Sequence, residues 1–147
     1  KTMTVEIEKQ RGNYVLRPDQ VLTATYVSSA AVKLNGFDMI EIGLSYFAHN
    51  LAPLGVKALL RIQFSPDGQR YFDHAMSQDV FPAAPNSSVI RSIIYSREFE
   101  FFGKPNVTVT AWNNLRTAAR YLKVAVMEMN NAGHFGNLMV ACRAADA

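Results

Sequence analysis

Three sets of side chains have the types that chemistry needs. Asp67, Asp73 and His74 lie within RIQFSPDGQRYFDHA, residues 61–75, and offer oxygen and nitrogen ligands. A metal centre requires three or more such groups converging on one point. Here Ser65-Pro66-Asp67-Gly68 already accounts for the stretch as a hairpin turn: Pro66 presets φ, Asp67 bonds local backbone and Gly68 accepts a positive φ. The two carboxylates and the imidazole therefore read as solvated groups beside a turn. Glu98 and Glu100 stand two apart on one strand and share a face, as a glycosidase carboxylate pair could. Alternation gives the simpler account, with the glutamates on the solvent side and Tyr95, Phe99 and Phe101 on the other. His49, His74 and His134 fall at strand ends or in loops, with no nucleophile at a recognisable spacing, and read as surface residues. The sequence contains no G-x-S-x-G, H-E-x-x-H, Walker or dinucleotide glycine pattern. These readings point to no enzyme, no metal ligand and no cofactor.

Cys142 is the only cysteine, so an intrachain disulfide is impossible. It continues the apolar phase of Leu138 and Val140, which marks a buried, inert thiol. Fifteen Lys and Arg against twelve Asp and Glu give a formal charge of +3, and the cations are scattered. With no basic block to follow a phosphate backbone, nucleic acid is not an expected partner. A membrane is not expected either, because no apolar run approaches the roughly 18 residues of a span and no signal peptide opens the chain. The first residue is Lys1 rather than Met, which leaves room for an upstream segment. Charged residues make up only 18% of the chain against 49% apolar, below the roughly 25% typical of soluble domains. Such a surface suits a protein that continues into a partner.

The elements that carry these residues follow a period of two. In FDMIEIGLSYFAH, Ile40, Ile42, Leu44 and Tyr46 share one face, and Glu41, Gly43 and Ser45 the other. In GVKALLRIQF, Val56, Ala58, Leu60, Ile62 and Phe64 oppose Lys57, Arg61 and Gln63. Further strands are expected at 4–8, 20–27, 92–101, 107–112, 120–129 and 137–143, about eight in all. Turn chemistry separates them at Arg17-Pro18-Asp19, Asn35-Gly36, Pro53-Leu54-Gly55, Pro66-Asp67-Gly68, residues 82–85, Gly103-Lys104-Pro105 and residues 130–136. Only 113–119 and 30–33 have the composition for a helical turn. The pattern predicts an all-β, antiparallel sandwich of jelly-roll type. All 147 residues are expected to form a single domain, a length at which one core is sustainable.

The phrases IEIGLSYF, LLRIQFSPDGQRYF, YSREFEF and ARYLKVAVMEMNNAGHFGNLMVACRA together resemble, in layout, the small β-sandwich structural proteins of tailed-phage virions, of the capsid decoration or cement type. That resemblance implies localisation in the virion, the major capsid protein or other virion subunits as partners, and homo-oligomerisation. It implies no cofactor: the role is to bridge neighbouring shell subunits and stabilise the assembled state. Met127 and Met129 point away from Leu122, Val124 and Val126, and Met139 away from Val140, which makes these methionines the candidate interface. A second likeness is to discoidin-type carbohydrate-binding modules, carried by Ser65-Pro66-Asp67-Gly68 and Ala119-Arg120-Tyr121. It implies sugar binding on an aromatic platform, as in a module of a tail fibre or secreted enzyme. Tyr14, Tyr71 and Trp112 are the candidate platform residues, each also readable as core or rim.

Overall fold

The computed structural model describes residues 4–6, 14–74 and 98–146. The strand expected over 92–101 therefore falls partly outside the described residues, as do Tyr95, the 82–85 turn and positions 7–8. Among the described residues there are eleven strands: β1 (Thr4–Glu6), β2 (Tyr14–Val21), β3 (Val27–Ser28), β4 (Ala31–Lys33), β5 (Met39–Phe47), β6 (Lys57–Ser65), β7 (Phe72–Asp73), β8 (Phe99–Phe102), β9 (Thr108–Arg116), β10 (Tyr121–Met129) and β11 (Asn137–Ala145). They form a four-stranded sheet, β2-β11-β5-β9, and a seven-stranded sheet, β1-β4-β10-β6-β7, with β3 also on β10 and β8 also on β6. Every pairing is antiparallel except β1 with β4.

The order is that of a jelly roll. From β2 onward the chain alternates between sheets except where β6 passes to its neighbours β7 and β8 in the same sheet, with β3 and β4 together filling one position and β7 and β8 another. The strand expected over 4–8 is present as β1; β4 and β7 are additional, and the run expected over 20–27 divides between β2 and β3, which takes the expected eight strands to eleven among the described residues. The period-two faces close on each other as the alternation predicts. Ile40, Ile42, Leu44 and Tyr46 from β5 are buried with Leu138, Val140 and Cys142 from β11, facing Ala58, Leu60 and Ile62 from β6 and Leu122, Val124 and Val126 from β10.

Four local expectations are corrected. Residues 113–119 do not form a helical turn; β9 runs on to Arg116 because its nine residues pair in unbroken register with β5, and that ladder overrides weak local propensity. Residues 31–33 of the second expected helical turn form β4, whose Val32 is core. Arg17-Pro18-Asp19 is not an inter-strand turn but lies inside β2, an edge strand on which proline is tolerated, and the pairing with β11 shifts register there. The buried Arg17 guanidinium donates to the carbonyls of Leu138, Gln20 (3.0 Å) and Val21 (3.0 Å), holding the bulge closed. Consequently the strand expected over 20–27 ends at Val21, and 22–26 run as a connection before β3.

The Ser-Pro-Asp-Gly stretch is a turn. The Ser65 hydroxyl accepts from the Asp67 and Gly68 N–H groups, and Asp67 accepts from Gln69 and Arg70. Gly68 takes φ +79°, and β7 folds back on β6 with Phe72 opposite Phe64. Those backbone donors hold the Asp67 carboxyl below its ordinary range.

Candidate functional site

The outward side chains of the seven-stranded sheet are already engaged with each other. Arg61 on β6 forms an ion pair with Glu98 at 2.8 Å and lies 4.1 Å over the Tyr26 ring. Lys57 pairs with Glu100 at 3.0 Å. Gln63 donates to Asp73 at 2.8 Å, so Asp73 is committed to the hairpin. Lys123 on β10 sits 4.2 Å over Tyr71, which leaves that half-buried ring a packed element rather than an open platform. Glu98 and Glu100 each face a cation across the strand, consistent with their outward phase. His74, expected at the surface, is half-buried against Phe64 and Phe99, and burial lowers its pKa. Among the described residues no three His, Cys, Asp or Glu side chains cluster to hold a metal.

The candidate residues do not converge. Met127 and Met129 lie on the outer face of the seven-stranded sheet, half-buried and exposed respectively, whereas Met139 is on the outer face of the four-stranded sheet. Trp112 shares that second face. It is 69% exposed, so it is neither core nor rim. Of Tyr14 the structure describes the backbone, which opens β2 opposite Cys142.

The two ends of the sandwich differ in character. At one end, residues 34–38, 65–70, 116–120 and 145–146 meet through bonds such as Thr117 N–H to Asp38 O and Arg120 N–H to Ser65 O. This end exposes Asp38, Asp67, Arg70, Arg116, Arg120 and Asp146. At the other, residues 48–56, 103–107 and 130–136 are tied by Asn106 N–H to Ala48 O, Gly103 N–H to Val56 O and Asn130 Nδ2 to Gly55 O. Here Phe47, Leu51, Leu54, Phe102, Val107 and Met129 are all exposed, Leu54 at 90%. These six come from a total of eleven exposed large apolar side chains among the described residues, so more than half are concentrated at one end. Charge is sparse there: Lys104 and the Lys57–Glu100 pair.

Beneath the apolar end lies a residue that composition and spacing leave unremarked. Glu128 is 2% exposed and points into the core in the phase of Leu122, Val124 and Val126. The Tyr46 hydroxyl donates to its Oε2 at 2.5 Å, while Asn131 Nδ2 (2.9 Å) and Gly136 N–H (3.0 Å) donate to Oε1. Burial, reinforced by the carboxylate, raises the Tyr46 pKa far above the phenol range. Gly136 is required at this point, because a Cβ would lie 2.4 Å from the Phe47 carbonyl and 2.9 Å from Glu128 Oε2. The carboxylate thus pins the 130–136 loop to β5, and the His49 and His134 rings stack across the same junction at 5.1 Å. Its signal in the sequence is the break of an apolar phase by one acidic residue.

No family model matches this chain, and no curated protein matches it.

Proposed function

We propose that this jelly roll is a structural subunit of a virus particle, a decoration or cement protein that docks end-on to an assembled shell of the major capsid protein. The observation that carries the reading is the polarity of its ends. Six exposed apolar side chains ring one end, and charged residues cover the other. A contiguous apolar patch is costly to leave in water, and its composition resembles the desolvated centre of a protein interface. The loops that present it are tied together by backbone bonds, Asn106 N–H to Ala48 O and Gly103 N–H to Val56 O, so little ordering entropy is lost on docking. Met129, one of the candidate interface methionines, lies within this patch. Copies bound only to the assembled state stabilise it by mass action, which is how a cement protein acts.

The test uses Leu51→Glu/Leu54→Glu, two exposed positions whose replacement leaves the core untouched. With empty shells from the same source, the wild-type chain co-sediments and the double variant stays in the supernatant, because charge must be desolvated at the contact. Undiminished co-sedimentation of the variant refutes end-on docking, and failure of the wild-type chain to bind refutes the shell as partner.

A further inference from the structure

The outer face of the four-stranded sheet carries a second surface, independent of end-on docking. Register lays its outward side chains in three rows across β9, β5 and β11: Asn114, Glu41 and Arg143; then Trp112, Gly43 and Ala141; then Thr110, Ser45 and Met139. Same-face neighbours along a strand lie roughly 6.8 Å apart, and adjacent strands about 4.8 Å. The middle row is therefore a recess, of about 310 Å³. Gly43 and Ala141 form its floor, Trp112 its wall, and Glu41 and Arg143 one side.

Two features of this recess have no structural explanation. Gly43 sits mid-strand, where glycine weakens a sheet. Yet a Cβ there would meet only ordinary contacts, 3.8 Å to the Ala111 carbonyl and 3.9 Å to Trp112 Cβ, and its φ is not positive. Neither packing nor backbone demands the glycine; its effect is to keep the floor open. Glu41 and Arg143 stand directly opposite on paired strands, a placement that ordinarily yields an ion pair. Among the described residues they form none, so a carboxylate acceptor and a guanidinium donor remain available side by side. Trp112, the only tryptophan in the chain, presents its indole to solvent between them and Thr110.

We propose that this recess binds a neutral pyranose residue of a glycan. A sugar ring has an apolar C–H face and a rim of hydroxyls. The indole takes the first, and Glu41, Arg143 and Asn114 take the second, as acceptor, donor and both. The opposite charges of Glu41 and Arg143 favour a neutral ligand over an acidic one. A gluco-configured, β-linked chain fits best, because its axial ring hydrogens leave a flat face for stacking. A second copy of the protein suits the face less well, since it would bury Glu41, Arg143 and Arg116 without partners of its own.

The single tryptophan makes the experiment direct. Cellohexaose and chitohexaose are titrated separately against the full chain, reading Trp112 emission and, in parallel, isothermal heat. The result expected with at least one of them is a saturable blue shift with a Kd of about 1 mM or tighter, the range open to one stacked ring and a few hydrogen bonds. Arg143→Ala weakens that affinity at least tenfold, and Gly43→Val abolishes it while leaving the circular dichroism and melting temperature near wild type. Trp112→Ala, followed by heat alone, abolishes it as well. No saturable change with either hexasaccharide overturns the proposal, as does binding that survives Gly43→Val. A concentration-dependent dimer that Trp112→Ala dissociates would assign the face to a second copy instead.

Discussion

Replacing Glu128 tests whether one buried carboxylate organises the apolar end. Glu128→Ala strands three donors, the Tyr46 hydroxyl, the Asn131 amide and the Gly136 N–H, all in buried residues. An unsatisfied buried group costs about 1–3 kcal/mol, and loss of one partner from a buried charged network about 3–5 kcal/mol. The lower figure for the whole site assumes that water enters the vacated volume. For a chain of 147 residues, a loss of that size lowers the melting temperature by roughly 10–20 °C. Glu128→Gln should be far milder, about 1 kcal/mol. Its carbonyl can still accept from Asn131 and Gly136, and only the Tyr46 contact must reverse its proton. Tyr46→Phe alone removes one charge-assisted bond and should cost about 1.5–3 kcal/mol. In the Glu128→Ala background the same change deletes an orphan hydroxyl, so it becomes neutral or stabilising, which the double-mutant cycle reads as coupling. Urea unfolding followed by far-ultraviolet circular dichroism measures the wild type and all four variants. A Glu128→Ala variant within about 1 kcal/mol of wild type, or additive effects in the cycle, would refute the network as the anchor.

Stability should also fall at alkaline pH through two buried groups. Burial pushes the Cys142 thiol up to about 12 from an ordinary 9.0, and Tyr46 is raised from an ordinary 10.0. The unfolded chain then releases protons that the native state retains, so this stability is intact below about pH 9 and declines above it by roughly 1.4 kcal/mol per pH unit per group. Melting temperatures between pH 8 and 11 check this: Cys142→Ala should remove the onset near 9, Tyr46→Phe should lessen the decline above 10, to which Tyr26 and Tyr71, also raised by burial, contribute, and a flat profile contradicts both. Gly136→Ala should destabilise by more than about 2 kcal/mol in urea titration, because the 2.4 Å approach to the Phe47 carbonyl forces the backbone apart. Trp112→Ala should alter the unfolding midpoint by less than about 0.5 kcal/mol, since the exposed ring leaves no cavity; a loss of several kcal/mol would mean the indole is packed.

The sandwich was legible wherever strict alternation met a buried face. The run from Ile40 to Tyr46 shows every second residue buried, as its pattern requires. Local composition misled at 113–119 and 30–33, where pairing partners distant in sequence decide the conformation. Proline at position 18 suggested a turn because nothing in the linear order shows that β2 is an edge strand or that Arg17 closes its bulge. Trp112 was recognisable as a candidate, but its outward direction follows from Val109 and Ala111 packing against the core. The recess beside it joins β5, β9 and β11, which only the sheet order brings together. The apolar end is likewise a product of topology: Leu54, Phe102, Val107 and Met129 are unremarkable singly and become a patch when three loops meet.

The most direct measurement for end-on docking is hydroxyl-radical footprinting of the chain free and bound to empty shells, with labelled side chains located by mass spectrometry. End-on docking requires that Phe47, Leu51, Leu54, Phe102 and Met129 label readily in the free chain and become protected on the particle, while Phe72, exposed on the β7 hairpin away from that end, labels equally in both. Unchanged labelling at the apolar end, with protection on either sheet face or at the charged end, would contradict it.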